Sequence, residues 1–576
     1  MNGMELEKQR ITSRNRRIVI VGFVFTLCYL IVAAKAIYLQ VFAESRLSER
    51  ASSEYSRAVE SRDKRGTIFD IKDRELVVST TVASIGIHPR RVDNPAVAAD
   101  EISRILSKDR REVVKLLASD KPFIWLQRNA PTDKAEALVR GITPLRAVQM
   151  SKNFCRIYPN KTIAAQVLGF SGIDGNGLEG LEFYYDDYLK GDIRREMIVK
   201  DALGRIFDRS GFETPDTEGR NLILTIDANI QYITEQALQK AVLKYHAKTG
   251  IALVMIPETG EIRAVAHYPT FNPNAYGQYP RDTWRNRAIT DPFEPGSTMK
   301  IFTAAAALAS GMCTPQTVMH CENGNFRIGS NVIHDTHPYQ LLTLHEIIKV
   351  SSNIGAAKIA DRIGPKILHE TLTNFGFGEL TGIDCPGENK GILRNYESWR
   401  KIEHATIAFG QGIAVTPVQL ISAVSAIANR GLLMQPRFVN AITNPDGSIL
   451  KRFEPQSVRQ ALSPEYAAQM MAMMQAVTEA GGTGTQAVPV GYTVGGKTGT
   501  AQIIGADGTY RNSDYNAVFV GYAPAQSPRI AVLVVVEGPR GSHYGGVVSA
   551  PAFREIVKET LNYMNVPPVA PPVVPN

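Results

Sequence analysis

Near the N-terminus, Ile18 to Ala34 is a run of seventeen residues without a charge, all apolar or small apart from Thr26. Ala36-Ile37-Tyr38-Leu39 carries the run past Lys35. Such a run spans about 26 Å as a helix, and roughly twenty apolar residues cross a bilayer. The sequence therefore predicts one transmembrane helix at 18–39, with Lys35 reaching out to the headgroups. Lys8, Arg10, Arg14, Arg16 and Arg17 precede it, which places residues 1–17 in the cytoplasm and the rest of the chain on the outer, periplasmic side of the cytoplasmic membrane. The rival reading is a cleaved signal peptide, because Ala34-Lys35-Ala36 fits a cleavage site. The run is long for a signal peptide and continues past that site, which favours a retained anchor.

At 576 residues the chain exceeds one core, so two or three domains are expected. The net charge of +8 permits nucleic acid, anionic lipid or an acidic polymer as partner. No basic run interleaved with aromatics occurs beyond the N-terminus, so nucleic acid is not expected. The cysteines Cys28, Cys155, Cys313, Cys321 and Cys385 form no Cys-x-x-Cys pair and no disulfide framework. Cys313 and Cys321 could bridge in an exported domain, whereas free buried thiols are the plainer reading. His334-Asp335-Thr336-His337 lacks the spacing of a metal motif, so His334 and His337 read as loop residues. Neither a metal nor a cofactor is expected.

Residues 40–60 read as a helical or loose connector. From 61 to 218, strand-like Leu76–Thr80 is followed by amphipathic helical patches at Ala96–Leu106, Arg111–Leu117 and Thr132–Val139. Gly175-Asn176-Gly177-Leu178-Glu179-Gly180 matches a dinucleotide fingerprint, but a polar turn precedes it where a buried strand is required. The texture changes near 218. Residues 219–565 mix helices (228–245, 297–310, 344–362, 416–430, 463–480) with a hairpin about Pro257–Gly260 and late strands at 515–522 and 529–537. That is an α+β pattern. Residues 566–576 form a Pro-rich tail, expected to be extended or disordered.

Chemistry first shows at Glu294-Pro295-Gly296-Ser297-Thr298-Met299-Lys300, which opens an Ala-rich helix. Ser297 and Lys300 then lie one turn apart on one face, a hydroxyl beside an amine. Ser-x-x-Lys recurs at Ser61/Lys64, Ser398/Lys401 and Ser448/Lys451, so context must choose among the four. Gly491-Tyr492-Thr493-Val494-Gly495-Gly496-Lys497-Thr498 satisfies the P-loop pattern, and a P-loop NTPase is the remote alternative. A phosphate cradle needs a strand before and a helix after, whereas strand and turn residues come after Lys497. The other reading is Lys497-Thr498-Gly499-Thr500 on a strand. Ser351-Ser352-Asn353 lies between the two. Ser297-x-x-Lys300, Ser351-x-Asn353 and Lys497-Thr498-Gly499 in that order form the set shared by class A β-lactamases and penicillin-binding proteins.

With its flanks, the chain from about Arg57 to Val566 resembles a class B penicillin-binding protein, a monofunctional peptidoglycan transpeptidase, most like the division-specific branch. The flanks are Arg65-Gly66-Thr67-Ile68-Phe69-Asp70, Arg156-Ile157-Tyr158-Pro159, Gly177–Glu182, Asn286-Arg287-Ala288, Phe293–Ser297, Gly410-Gln411-Gly412, Thr416-Pro417 and Tyr544-Gly545-Gly546. Ile71-Lys72 and Lys161 depart from the usual pattern, which weakens the choice of branch and leaves the catalytic residues untouched. The resemblance implies a multidomain α+β chain: a transmembrane helix, an elongated pedestal of dimerisation type, and a transpeptidase domain with an antiparallel sheet flanked by helices. It implies Ser297 as nucleophile, Lys300 as its base and Ser351 as proton relay. Asn353 would bind the substrate's amide, and Lys497, Thr498 and Thr500 its terminal carboxylate. Burial and the cation of Lys497 should together lower the pKa of Lys300. The N–H groups of Ser297 and Thr500 would form the oxyanion hole, and Gly499 would let the acyl group approach. Implied partners are stem peptides ending in D-Ala-D-Ala on a lipid-linked polymer, β-lactams, the membrane, and a glycosyltransferase of the shape, elongation, division and sporulation (SEDS) type with other division proteins. An elongation-type transpeptidase, a D,D-carboxypeptidase and a β-lactam sensor are the alternatives within this resemblance.

Overall fold

The computed structural model describes residues 3–42, 56–142, 147–191, 193–200, 206–210, 218–504 and 510–568. The first element is a helix, Gly3–Ile37, continued by a π-helical turn over Tyr38–Phe42. It starts well before the apolar run because residues 4–17 contain neither proline nor glycine to stop it. Its stretch Ile11–Gln40, which contains an 18-residue window of mean hydropathy 2.4, is long and apolar enough to cross a membrane. Inside it the Thr26 hydroxyl donates to the Gly22 carbonyl (2.9 Å), which pairs the one polar side chain of the run.

The connector expected at 40–60 ends in a strand, Ser56–Arg62, which pairs antiparallel with Ile193–Lys200. A partner more than a hundred residues away creates this strand, and its own polar sequence carries no sign of one. The helices Pro95–Leu106, Arg110–Leu117 and Thr132–Gly141 form where the apolar spacing placed them. Asn94 and Asp109 cap the first two through their side chains. Their buried faces (Ile102, Val113, Leu138) pack on Ala83, Ile85 and Ile87 of the strand Glu75–Ile87.

Three separate sequence stretches meet in one buried ion cluster. Arg65 Nε donates to Glu182 Oε2 (2.6 Å), Arg156 Nε to Glu182 Oε1 (2.5 Å), and Arg65 Nη1 to Asp186 (2.5 Å). Burial alone would raise the Glu182 carboxyl, but the charges of Arg156 and Arg65 outweigh it and hold the group below its ordinary range. Removing one member of such a cluster leaves an uncompensated buried charge. Glu182→Gln should therefore destabilise the chain by roughly 3–5 kcal/mol, read as a lower denaturant midpoint at unchanged slope.

One sheet runs across the boundary expected at 218. Its path joins Ile449–Arg452, Val439–Thr443, Asn221–Leu224, Ile68–Phe69, Glu75–Ile87 and Ile124–Ala130, with Val148–Ile157 also on Glu75–Ile87. Asn221–Leu224 pairs parallel with Ile68–Phe69, which ties the N-terminal half of the chain to the C-terminal half. At the same junction Phe170 stacks on Tyr276, with ring centroids 4.1 Å apart.

The second half is built on a five-stranded antiparallel sheet, in the order Ile262–Tyr268, Thr249–Met255, Ile530–Glu537, Tyr510–Ala523, Gly495–Ile504. Alternate side chains serve two cores. Val518, Val520, Leu533 and Val535 face the helices Lys300–Ala309, Asn353–Asn374 and Pro417–Ala428. Phe519, Val532, Val534 and Val536 face Ala228–Lys244 and Ala550–Tyr563. The strand carrying Lys497 is the sheet edge. From Ile301 to Ala307 every residue of the Ala-rich helix is buried, so packing on all sides fixes its position. Burial of Ile301 and Phe302 contributes about 2–3 kcal/mol each.

All five cysteines are free thiols, with Cys313, Cys321 and Cys385 buried, so the Cys313–Cys321 bridge does not form. Of the Pro-rich tail, Val566–Pro568 are described, and the Val566 carbonyl accepts from the Tyr492 hydroxyl (2.9 Å). The remainder of the tail, 569–576, lies outside the described residues.

Candidate active site

Pro295-Gly296 makes the turn its sequence predicts, and Gly296 has φ +55°. Ser297 does not start an α-helix directly: Gly296–Met299 is a 3₁₀ turn, and the α-helix begins at Lys300. The tighter turn keeps Ser297 and Lys300 on one side. Lys300 Nζ lies 3.1 Å from Ser297 Oγ, 2.6 Å from the Ser351 carbonyl, 3.2 Å from Ser351 Oγ and 2.7 Å from Asn353 Oδ1. Its side chain is fully buried, and burial lowers its pKa to about 7 against the opposing charge of Asp335. At neutral pH a substantial fraction of Lys300 is the free amine.

The helix expected over 344–362 is broken. Leu344–Val350 ends at Ser351, and a second helix runs from Asn353 to Asn374. Ser351 takes the left-handed conformation (φ +63°), which costs a non-glycine residue roughly 1–3 kcal/mol. That strain turns both its hydroxyl and its carbonyl toward Lys300. Sequence alone does not show the break, since serine has no strong left-handed preference and apolar spacing continues through it.

Gly495–Ile504 is a strand, with Lys497 buried within it, so the P-loop reading fails: the strand runs on through the lysine, where a phosphate cradle needs a helix to begin. Lys497 Nζ donates to Ser351 Oγ (2.9 Å) and to the Thr498 carbonyl (3.2 Å). The Ser351 hydroxyl thus sits between two amines. Burial and then the charge of Lys300 push Lys497 well below its ordinary pKa. This differs from the expectation that the Lys497 cation lowers Lys300. Thr498 Oγ1 is 2.8 Å from Thr483 Oγ1, and Thr500 Oγ1 accepts from the Gly545 amide (3.4 Å). Gly499 has a packing role of its own. A Cβ there would lie 2.9 Å from the Pro295 carbonyl oxygen and 3.0 Å from the Thr298 methyl, so its absence seats the Ser297 turn against the strand. A Cβ on Gly296 would likewise lie 2.8 Å from the Thr500 carbonyl oxygen, so the turn before Ser297 lies close against this strand.

The flanking stretches gain physical roles. The Phe293 and Val415 amides exchange 2.9 Å bonds with each other's carbonyls, and the Gly412 amide donates to Glu294 (2.8 Å). Gly410 has φ +85°, and a Cβ on it would lie 2.1 Å from the Gly296 carbonyl, so this glycine admits the Ser297 turn. Sequence reasoning missed Asp335. Its carboxylate accepts the Asn353 and Ile354 amides and the Ser352 hydroxyl, at the start of the second helix. His334, expected in a loop, ends the strand Asn331–His334, and its carbonyl accepts from Asn353 Nδ2 (2.9 Å). The available signal was an acidic residue just upstream of the Ser351 stretch.

Ser297, Ser351, Asn353, Thr498 and Thr500 line one cleft of about 790 Å³. Its walls are apolar on the side of Val332, Ile333, Ile402 and Phe409, and hydroxyl-rich on the side of Thr483, Thr485, Thr498 and Thr500. Two family models match the chain: the penicillin binding protein transpeptidase domain over residues 250–558, and the penicillin-binding protein dimerisation domain over 61–224. A probable peptidoglycan D,D-transpeptidase, PbpC of Pseudomonas aeruginosa, is 36% identical over 96% of this chain and 96% of its own length. The chain belongs to the class B penicillin-binding proteins. Peptidoglycan D,D-transpeptidase FtsI of Escherichia coli is 32% identical to this class B protein over 92% of this chain and 89% of its own. Among solved structures, penicillin binding protein 3 of Mycobacterium tuberculosis, complexed with aztreonam, is 27% identical with a TM-score of 0.69, covering 90% of this chain and 99% of that one. As in its family, a dimerisation domain precedes a penicillin-binding transpeptidase domain.

Proposed function

We propose that this protein is a peptidoglycan D,D-transpeptidase that cross-links stem peptides through an ester on Ser297, in septal wall synthesis. The observation that carries the reading is how Lys300 is held. A free amine has two N–H groups and one lone pair. The Ser351 carbonyl (2.6 Å) and Asn353 Oδ1 (2.7 Å) can only accept, so they take the N–H groups. The lone pair is left for a hydroxyl: Ser297 Oγ lies at 3.1 Å and Ser351 Oγ, which already accepts from Lys497, at 3.2 Å, and in this reading it serves Ser297. Lys300 takes that proton as Ser297 Oγ attacks the carbonyl carbon of the penultimate D-Ala. The oxyanion is held by the N–H groups of Ser297 and Thr500. As the C–N bond breaks, Ser351 passes the proton taken by Lys300 to the departing D-Ala amine. An amine of a neighbouring stem then attacks the ester, and as its C–O bond breaks the amine's proton returns by way of Ser351 and Lys300 to Ser297 Oγ. Thr498 and Thr500 receive the substrate's terminal carboxylate. That anion also draws Lys497, which lies behind them, toward its charged form. β-Lactams acylate the same serine.

Acylation requires neutral Lys300. Below about pH 7 its second-order rate should fall roughly tenfold per pH unit, and above it should level off. Stopped-flow measurement with a chromogenic cephalosporin checks the profile, and a flat rate between pH 5.5 and 8.5 would remove Lys300 as the base.

The septal assignment is supported by similarity to FtsI, and the outer-face orientation by the basic residues before the apolar helix. In this reading 1–17 is cytoplasmic, 18–39 spans the membrane, 61–218 is the pedestal and 219–565 the catalytic domain. The membrane helix and pedestal would contact a SEDS-type glycosyltransferase and other division proteins. The test is reaction of the purified chain with uncross-linked lipid-linked polymer. Cross-linked dimers support the transpeptidase, whereas trimmed monomers alone indicate a carboxypeptidase, and rapid release of bound penicillin indicates a lactamase. Depletion should give filaments; round cells would point to the side wall.

A further inference from the structure

Asp335 is the one acidic residue of 325–339, the stretch that packs beside the Ser351 break. Its amide is anchored on the Gly324 carbonyl (3.2 Å). One carboxylate oxygen accepts the Asn353 and Ile354 amides, and the other accepts the Ser352 hydroxyl (2.5 Å). Ser352 Oγ in turn accepts the Gly355 amide (2.9 Å). Three amides that open the helix Asn353–Asn374 are thereby paired, with an anion at the helix's positive end. The adjacent His334 carbonyl holds Asn353 Nδ2. Asn353 is gripped by its backbone and by its side-chain N–H₂, so that Oδ1 is the end turned to Lys300.

We propose that Asp335 is a positioning residue for the nucleophile's base: by fixing the start of this helix it holds Asn353 Oδ1 and the Ser351 carbonyl on Lys300, and so aims the amine's lone pair at Ser297. This rests on the reading of Lys300 as the base. Without the clamp, Asn353 and Ser351 can rotate, and Lys300 can offer an N–H to Ser297 in place of the lone pair. Helix capping alone predicts a different outcome, because capping affects stability and leaves proton transfer alone. The charged groups around Lys300 are Lys497, across Ser351, and Asp335 itself. Loss of the Asp335 charge also makes the protonated amine harder to keep.

The test compares Asp335→Asn with Thr343→Ala in the full chain. Thr343 caps the neighbouring helix Leu344–Val350 and does not contact Lys300. Acylation by a fluorescent penicillin is followed against pH, together with the thermal midpoint. Asp335→Asn is expected to lower the plateau rate by roughly tenfold or more and to move the pH midpoint downward. Thr343→Ala is expected to lower the thermal midpoint and leave the pH midpoint in place. An Asp335→Asn enzyme with wild-type plateau and midpoint overturns the proposal, as does a Thr343→Ala enzyme that reproduces both changes. Ser297→Ala separates the two levels. If it still forms the acyl-enzyme, the reading of the site fails. If it does not, and Asp335→Asn is silent, the role of Asp335 alone fails.

Discussion

Ser297→Ala should abolish stable labelling by fluorescent penicillin, with a loss of roughly 10⁶-fold in turnover if this nucleophile behaves as in other serine acyl enzymes. The size of the loss has a chemical cause. In the proposed mechanism Lys300, Ser351 and the oxyanion donors all serve an oxygen that the substitution removes, and no other hydroxyl takes its place. Ser351 Oγ is the nearest substitute, yet two amines already hold it, at 3.2 Å and 2.9 Å. Folding should be unaffected, since Ser297 is only partly buried on the cleft wall and the Thr298 hydroxyl, which donates to the Pro295 carbonyl, keeps the turn (2.8 Å). Labelling is read by gel fluorescence, with the thermal midpoint as control. Undiminished labelling would sink the assignment of the nucleophile and with it the function.

Lys300→Arg tests the base with charge retained. A guanidinium stays protonated across the working pH range and presents no lone pair, so acylation should fall by roughly 10²–10⁴-fold. Raising the pH to about 9 should restore none of it, whereas the wild-type rate is already on its plateau there. Arginine is also the larger side chain, and Lys300 is fully buried, so Lys300→Met serves as the partner variant. It fills similar space without a nitrogen, and should show the same loss with a better-preserved thermal midpoint. Acylation by Lys300→Arg within tenfold of wild type would point to Ser351 and Lys497 as the proton acceptors instead.

The sequence was most legible where one local rule dominates. Proline and glycine before Ser297 forced the turn, and the alanines after Lys300 made a helix. The apolar patches at 95–141 became the helices their spacing predicts. Reading failed where a distant partner decides the conformation. Ser56–Arg62 is polar and becomes a strand because Ile193–Lys200 lies beside it. Residues 344–362 carry continuous apolar spacing, and the chain still breaks at Ser351, where Asp335 and Lys300 offer more than helical bonds would. Asp335 resembled part of a failed metal motif, and its partners are donors 18 and 19 residues later.

By itself, the sequence determined which groups are present and where they sit locally: an apolar anchor, a serine and a lysine one turn apart, and a lysine-threonine pair on a strand. Spacing and propensity act within a few residues, so these features survive without a fold. Only the tertiary structure decided that Lys300 and Lys497 share the hydroxyl of Ser351, that both amines lose their water, and that Asn353 turns its oxygen to Lys300. Those facts depend on burial and on contacts between segments 50 to 150 residues apart, and it is these that set a common triplet in the arrangement proposed as a base beside a nucleophile.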